Sequence, residues 1–441
     1  MPARRILLVL CLVASTLALA PLGAGATNAS TFVTKEVGDP QAAVAAWTPE
    51  RMAAAEPAAP PAIHPEDLNA PLPARGEPVF VPGSGASTER YSSSSAGGSS
   101  EGPIPFERFR IEDPSVAPYA AHGVLFGNDN GVDFGCSGTA INSDNKSVVW
   151  TAAHCLYSGG KFVTDVVFVP GYEEQRVPYG IWAADQLAVP TQWKESQDSR
   201  YDFAGFRTLP NESGSLGDVI ALRGIAFNQQ PTELFQSFGY PAVPSDRFDG
   251  EHLETCRSHG SGRLWSGMIA MGCDMEFGSS GGGWVIRDEF VASNVSGGNT
   301  KVWPNVAFGP YLGSAARALY DGLRGGTSPI PEPTPTAPPT TPVKHPMKVT
   351  LVLRRHVVAT GRLTPVDGYT ACARTAPIQL GKKRSDGTFY PVGKLLFTDA
   401  EGRFRTRLRD RAGRYVAFAE ASPYDNSNRC GEAVTFARHR H

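Results

Sequence analysis

A histidine beside a cysteine, an aspartate among apolar neighbours and a serine among glycines follow one another along the chain. They read Thr151-Ala152-Ala153-His154-Cys155, Tyr201-Asp202-Phe203-Ala204 and Gly278-Ser279-Ser280-Gly281-Gly282. A serine hydroxyl is a weak nucleophile at neutral pH and needs a base to take its proton. Histidine is such a base when a buried carboxylate holds its tautomer and stabilises the imidazolium. Glycines flanking the serine let backbone N–H groups approach a substrate carbonyl. The chemistry is acyl transfer, with His154 as base and acid, Asp202 as its orienter and Ser280 as nucleophile. Asp198 competes for the orienting role, but it lies among Ser, Gln and Arg, whereas Asp202 has the apolar flanks that a buried acid needs.

The order of the three residues separates two architectures. The serine segment also satisfies the G-x-S-x-G elbow of α/β-hydrolases, where acid and histidine both follow the serine. Here no histidine follows Ser280 until His345, beyond a proline-rich stretch, so that reading has no base.

Together with Cys136-Ser137-Gly138-Thr139, these segments make residues 111 to 325 resemble a chymotrypsin/trypsin-like serine protease domain, of the bacterial secreted branch related to the glutamyl endopeptidases. The resemblance implies an all-β fold, a double antiparallel β-barrel with the site in the cleft. It also implies an oxyanion hole from the N–H groups of Gly278 and Ser280, and a bridge between Cys136 and Cys155. Asp274 stands at the offset where trypsin-like relatives carry a specificity-pocket aspartate, which would select Lys or Arg; some glutamate-specific relatives share it. The histidine that glutamate-specific enzymes use is missing from Ser293-Asn294-Val295-Ser296-Gly297-Gly298. Ser279 replaces the aspartate that would pair with a freed N-terminus, and Arg110-Ile111 resembles a tryptic activation site.

Elements that position these groups can be read from pattern. Ser147 to Trp150, Asp165 to Val169 and Glu233 to Phe238 are predicted strands, and Gly313 to Leu323 a helix, with Ala315, Leu319 and Leu323 at four-residue spacing. Residues 1–26 read as a secretory signal: Arg4-Arg5, an apolar run from Ile6 to Ala20 too short to span a bilayer, then Ala24-Gly25-Ala26. Removing it discards Cys11 and leaves six cysteines in an oxidising compartment, an even number that suggests three bridges. With Cys136 and Cys155 joined, Cys256 and Cys273 form the second pair by elimination, and Cys372 with Cys430 closes the C-terminal part. The cysteines lack C-x-x-C spacing, which argues against a metal site. Gly127-Asn128-Asp129-Asn130-Gly131 could hold calcium but reads as a turn. No cofactor or metal is expected.

Residues 27–110 are rich in Ala, Pro, Ser and Gly and read as a disordered leader or propeptide; a folded inhibitory prodomain is the alternative. Residues 327–346 form a Pro/Thr linker of extended polyproline character. Residues 347–441 read as an immunoglobulin-like or prealbumin-like β-sandwich, with strands at Met347–Val352, Tyr415–Ala419 and Ala433–Phe436. Turns fall at Lys383–Thr388 and Asp399–Gly402. From Lys344 onward the chain holds 19 Lys/Arg against 8 Asp/Glu, a net of +11; the remainder holds 22 against 35. Arg403, Arg405, Arg407 and Arg409 alternate with Phe404, Thr406 and Leu408, lining one strand face at intervals of about 7 Å. That face could grip an anionic polymer such as cell-wall teichoic acid, extracellular DNA or an acidic glycan; a solvated edge that resists aggregation is the competing reading. The chain is thus expected to be a secreted, monomeric serine endopeptidase acting on protein or peptide. A non-catalytic binding protein on the same scaffold, or an esterase, are its rivals.

Overall fold

The computed structural model describes residues 31–63, 76–84, 104, 106–260, 264–265, 267–298 and 305–325. In the C-terminal part it describes 343–354, 358–373, 376–384, 389–392, 396–399, 401–409, 411–419, 422–423 and 428–439. The expected signal sequence, the Ser/Gly run of residues 91–100, the expected linker residues 327–342 and residues 385–388 of an expected turn lie outside the described residues.

Six antiparallel strands close the first barrel. His122–Asp129 pairs with Val132–Ile141, which pairs with Val148–Thr151. Ala204–Thr208 follows, then Trp182–Pro190 and Thr164–Pro170, which returns to His122–Asp129. All four residues of Val148–Thr151 are buried, which is why this strand reads as a continuous apolar run rather than an alternation. The strand leads straight into Ala152 and His154, so a rigid wall sets the histidine.

A second β unit contains Leu234–Gly239 between Glu254–His259 and Gly283–Ile286, with Phe290–Asn294 beyond. Met268–Gly272 pairs with Val306–Pro310. The expected helix spans Ser314–Leu323 and buries Ala316, Leu319, Tyr320 and Leu323. The three expected disulfides are formed, Cys136–Cys155, Cys256–Cys273 and Cys372–Cys430. At the candidate calcium run, Asn128 Oδ1 accepts from the Gly131 N–H, and Asn130 and Gly131 both take positive φ, the geometry of a hairpin turn.

The described leader residues are folded, which corrects the expectation of disorder. Phe32–Glu36 adds a strand to Trp182–Pro190. Helices Pro40–Ala46 and Pro49–Ala54 follow, each with proline in its first turn and an Asp39 or Thr48 side chain capping it. They bury Ala43, Trp47 and Met52 in the same apolar cluster as Phe126 and Val169. Helices of seven and six residues span too few turns to show periodicity, and their Ala-rich sequence becomes a core face only against the barrel.

Residues just before the expected domain start at 111 are packed as well. Ile104 and Phe106 are buried, and Glu107–Arg110 pairs with Glu254–Arg257. The Ile111 N–H donates to the Leu253 carbonyl at 2.9 Å, so the suspected tryptic bond sits inside a β-ladder rather than on an exposed loop.

His122 is fully buried and stacks on Phe238 at 4.1 Å. Its Nε2 accepts from Arg223 Nε at 3.2 Å, which leaves Nδ1 to donate to Thr139 Oγ1 at 3.1 Å. Burial, with the Arg223 charge beside it, holds this imidazole well below the usual histidine range, and therefore neutral. A depressed base binds fewer protons folded than unfolded. Its contribution to stability is therefore complete above about pH 6.5, the unfolded value, and is lost as pH falls toward the folded one. Unfolding midpoints measured from pH 7.5 to 5 should fall for the parent and fall less steeply for His122→Gln. Parallel curves would contradict this assignment.

In the C-terminal module, Met347–Arg354, Val358–Pro365 and Arg403–Arg407 form one antiparallel sheet. Pro377–Lys383, Gly413–Ala419 and Ala433–His439 belong to another. Val343–His345, at the end of the expected linker, pairs with Asn428–Cys430.

Candidate active site

Val148–Thr151 delivers His154 on a single 3-10 turn, Ala153–Cys155, whose cysteine is tied to Val132–Ile141 by the disulfide. His154 Nδ1 lies 2.8 Å from Asp202 Oδ2, and the His154 backbone N–H donates to Asp202 Oδ1 at 2.9 Å. The carboxylate thus fixes both ring and backbone, leaving Nε2 free to face the cleft. Asp202 has no solvent exposure. Its Oδ2 also accepts from Ser296 Oγ at 2.6 Å, and its own backbone carbonyl accepts from Asn294 Nδ2 at 3.0 Å. Trp150 Nε1 holds Asn294 Oδ1 in turn, at 3.3 Å, and the Trp150 ring stacks on Phe203 at 5.9 Å. Asp198 instead pairs with Arg200, two residues away, and does not reach the histidine.

Ser280 sits in a loop with little freedom. Its carbonyl accepts from Ser137 N–H at 2.7 Å, and the Gly281 N–H donates to Val295 at 2.8 Å. Ser137 Oγ donates to the Gly278 carbonyl at 2.9 Å. Gly278 and Gly281 take φ of +91° and +81°. A Cβ at Gly278 would lie 2.5 Å from the Tyr240 carbonyl, and one at Gly281 2.0 Å from Thr151 Oγ1, so both positions require glycine. His154 Nε2 and Ser280 Oγ are both buried and neither has a hydrogen-bond partner among the described residues. Cys155, next to His154, places its Sγ 3.8 Å from the Ser280 carbonyl, so the two segments meet without a bond between the hydroxyl and the ring.

Asp274 lines a cavity of about 310 Å³ together with Met275, Glu276, Val295, Gly297 and Val306. Its side chain is 2% exposed and is bound by Arg108 Nη1 at 3.0 Å and by Arg247. Two guanidinium groups on one carboxylate leave it little capacity to attract a substrate cation. Burial raises the Glu276 carboxyl above its usual range. Sequence reasoning missed Ser296 and Asn294 as partners of Asp202, and Arg108 and Arg247 as partners of Asp274. Only the apolar flanks of Asp202 signalled that a buried acid would need such donors.

The Cys136, His154 and Cys155 donor atoms lie within 4.8 Å of one another, the grouping with metal-site spacing among the described residues. Both sulfurs are joined to each other, so they offer no thiolate, and the set does not fit a metal ion.

Of the arginine row, Arg403, Arg405 and Arg407 lie in the strand with exposed side chains, while Phe404 is buried. Arg409 is exposed beyond the strand's end. Arg362, on the neighbouring strand, stands opposite Arg403.

Among solved structures, the protease Anisep from Arthrobacter nicotinovorans is 32% identical, over 47% of this chain and 96% of that one, with a TM-score of 0.45. A thermostable serine protease, AL20, from an extremophilic microorganism is 33% identical over 46% and 96%, with a TM-score of 0.43. An extracellular metalloprotease of Bacillus subtilis (strain 168) is 26% identical over 148 residues, 33% of this chain and 45% of the relative. The match thus spans about half the length of that curated relative. No protein-family model matches.

Proposed function

Given that the chain belongs to the chymotrypsin-like serine protease family, we propose that it is a secreted endopeptidase working through His154, Asp202 and Ser280. The observation that carries this reading is the pair of bonds from His154 to a fully buried Asp202, beside a serine held in a glycine-rich loop. Ser280 Oγ attacks the scissile carbonyl as His154 Nε2 takes its proton. The Gly278 and Ser280 N–H groups receive the oxyanion, worth about 3 kcal/mol per donor. The imidazolium, stabilised by Asp202, then protonates the leaving amine, and water activated by the same histidine releases the acyl group. No step calls on a metal or cofactor.

The neutralised Asp274 and the Met275, Val295 and Val306 lining favour an apolar side chain before the scissile bond over Lys or Arg. Profiling on a mixed peptide library should give apolar residues at that position, with Lys and Arg not enriched. A strict Lys/Arg preference would restore the trypsin-like reading.

The module's exposed arginines form a cationic face that we assign to an anionic polymer. Such binding weakens as salt rises, in proportion to the counterions released. The full chain should bind immobilised polyphosphate at 50 mM salt, and replacing Arg403, Arg405 and Arg407 by alanine should abolish retention. Equal retention of parent and variant would rule the face out. Among the described residues no helix is long and apolar enough to cross a membrane.

A further inference from the structure

The leader does more than add a strand. Glu56–Pro57 pairs in parallel with Phe134–Gly135, and the Ala58 N–H donates to the Gly135 carbonyl at 2.9 Å. The Ala58 carbonyl then accepts from the Gly278 N–H at 3.2 Å, the donor assigned above to the oxyanion. Pro60 and Ala62 line the Asp274 cavity, and the Ile63 N–H donates to the Gly298 carbonyl at 3.2 Å. Ile63 is 2% exposed, packed with Ile104, Met268 and Phe308. One strap thereby occupies the edge of the first barrel, an oxyanion donor and the mouth of the cavity.

We propose that residues 31–63 are a built-in inhibitor of this cleft, a peptide ligand that keeps the protein latent until it leaves. The proposal rests on the endopeptidase reading above. Three features make the strap an inhibitor rather than a substrate. Pro57, Pro60 and Pro61 fix their φ angles, so the strap loses little freedom on seating. Ala58 offers only a methyl group, and a cavity of about 310 Å³ remains beside Asp274, so no side chain anchors the strap there as a substrate's would. Ser280 Oγ and His154 Nε2 make no hydrogen bond to each other with the strap in place, so the serine is not engaged by its base.

The strap is held by anchors outside the cleft. Arg51 donates twice to the Asp133 carboxylate, each bond 2.7 Å, and its guanidinium lies 4.2 Å over the Trp47 ring. Trp47 Nε1 donates to the Asp165 carbonyl at 2.7 Å. Tethering makes the contact intramolecular, with an effective concentration that a chain cut removes. Val79–Val81 pairs with Gly224–Phe227 and Ser84 with Leu222, so a cut anywhere between Ile63 and Ile104 severs the covalent tether of the strap to the body.

The test uses the full chain with a specific protease's recognition sequence inserted in the Ser/Gly run of residues 91–100, and reads the rate of labelling by a fluorophosphonate. The cut chain, separated from its leader, should label at least about 100-fold faster than the uncut chain, with the Ala58–Ala59 bond intact by mass. Uncut chain carrying Trp47→Ala and Arg51→Ala should label at least about tenfold faster than the uncut parent. Cut forms of both should label alike. Ala58→Pro, which removes the N–H given to Gly135, should act in the same direction and serves if the double variant fails to fold. Equal labelling of cut and uncut parent overturns the inhibitor alone. So does scission at Ala58–Ala59 during labelling, which would make the strap a substrate. If no form labels, the endopeptidase reading falls and the inhibitor falls with it.

Discussion

Replacing Ser280 by alanine is expected to lower kcat/KM on peptide substrates by about a million-fold, with the melting temperature nearly unchanged. The size of the loss follows from how the three residues act as a unit, since without the nucleophile neither base nor acid contributes. A residual rate of about a thousand-fold over water should persist, because the oxyanion donors and the cleft remain. Stability should hold because Ser280 Oγ makes no hydrogen bond within the described structure, so its removal breaks none. The loop is fixed instead by backbone bonds at Ser137, Gly281 and Val295, which a methyl side chain leaves intact. Peptide hydrolysis and thermal melts on parent and variant, both cut to free the leader, check the two halves separately. A loss of only tenfold would mean that another group attacks the carbonyl.

Asp202→Asn is expected to lower kcat by about 10⁴-fold while KM changes little. The present carboxylate accepts at both oxygens, from the His154 backbone N–H and from the ring at Nδ1. With an amide nitrogen facing the ring, Nδ1 becomes the acceptor and the proton moves to Nε2, which can then no longer take one from Ser280. The shape of the site is preserved, which is why binding should survive. Asp198→Asn supplies the contrast. Its carboxylate pairs with Arg200 and does not touch the histidine, so the rate should change less than about twofold. Steady-state kinetics on both variants tests the choice between the two aspartates. A large effect at Asp198 with none at Asp202 would reverse it.

His154, Asp202 and Ser280 could be singled out because each carries its own local signal: a histidine after an apolar strand, an acid with apolar flanks, and a serine between glycines, two of which take positive φ. Strands and the helix at Ser314–Leu323 were legible because one face of each is buried, which imprints a period on the sequence. Supporting groups were not. Ser296 and Asn294 lie over ninety residues from Asp202, and Arg108 lies far from Asp274 along the chain; a polar side chain carries no mark of the distant partner it will meet. The leader was misread for a related reason. Its Ala and Pro residues look unable to build a core, and they do not build one alone; Trp47 and Met52 complete a core that the barrel already supplies. Arg409 illustrates the limit of pattern, since the alternation continues past the point where pairing ends at Arg407.

Ser280 as a nucleophile activated by His154 is tested most directly by locating a fluorophosphonate adduct by mass spectrometry in the leader-freed chain. A single adduct is expected on the peptide containing Ser280, lost in Ser280→Ala and slowed by several orders of magnitude in His154→Ala. An adduct on any other residue, or none while the folded chain still hydrolyses peptides, would contradict it.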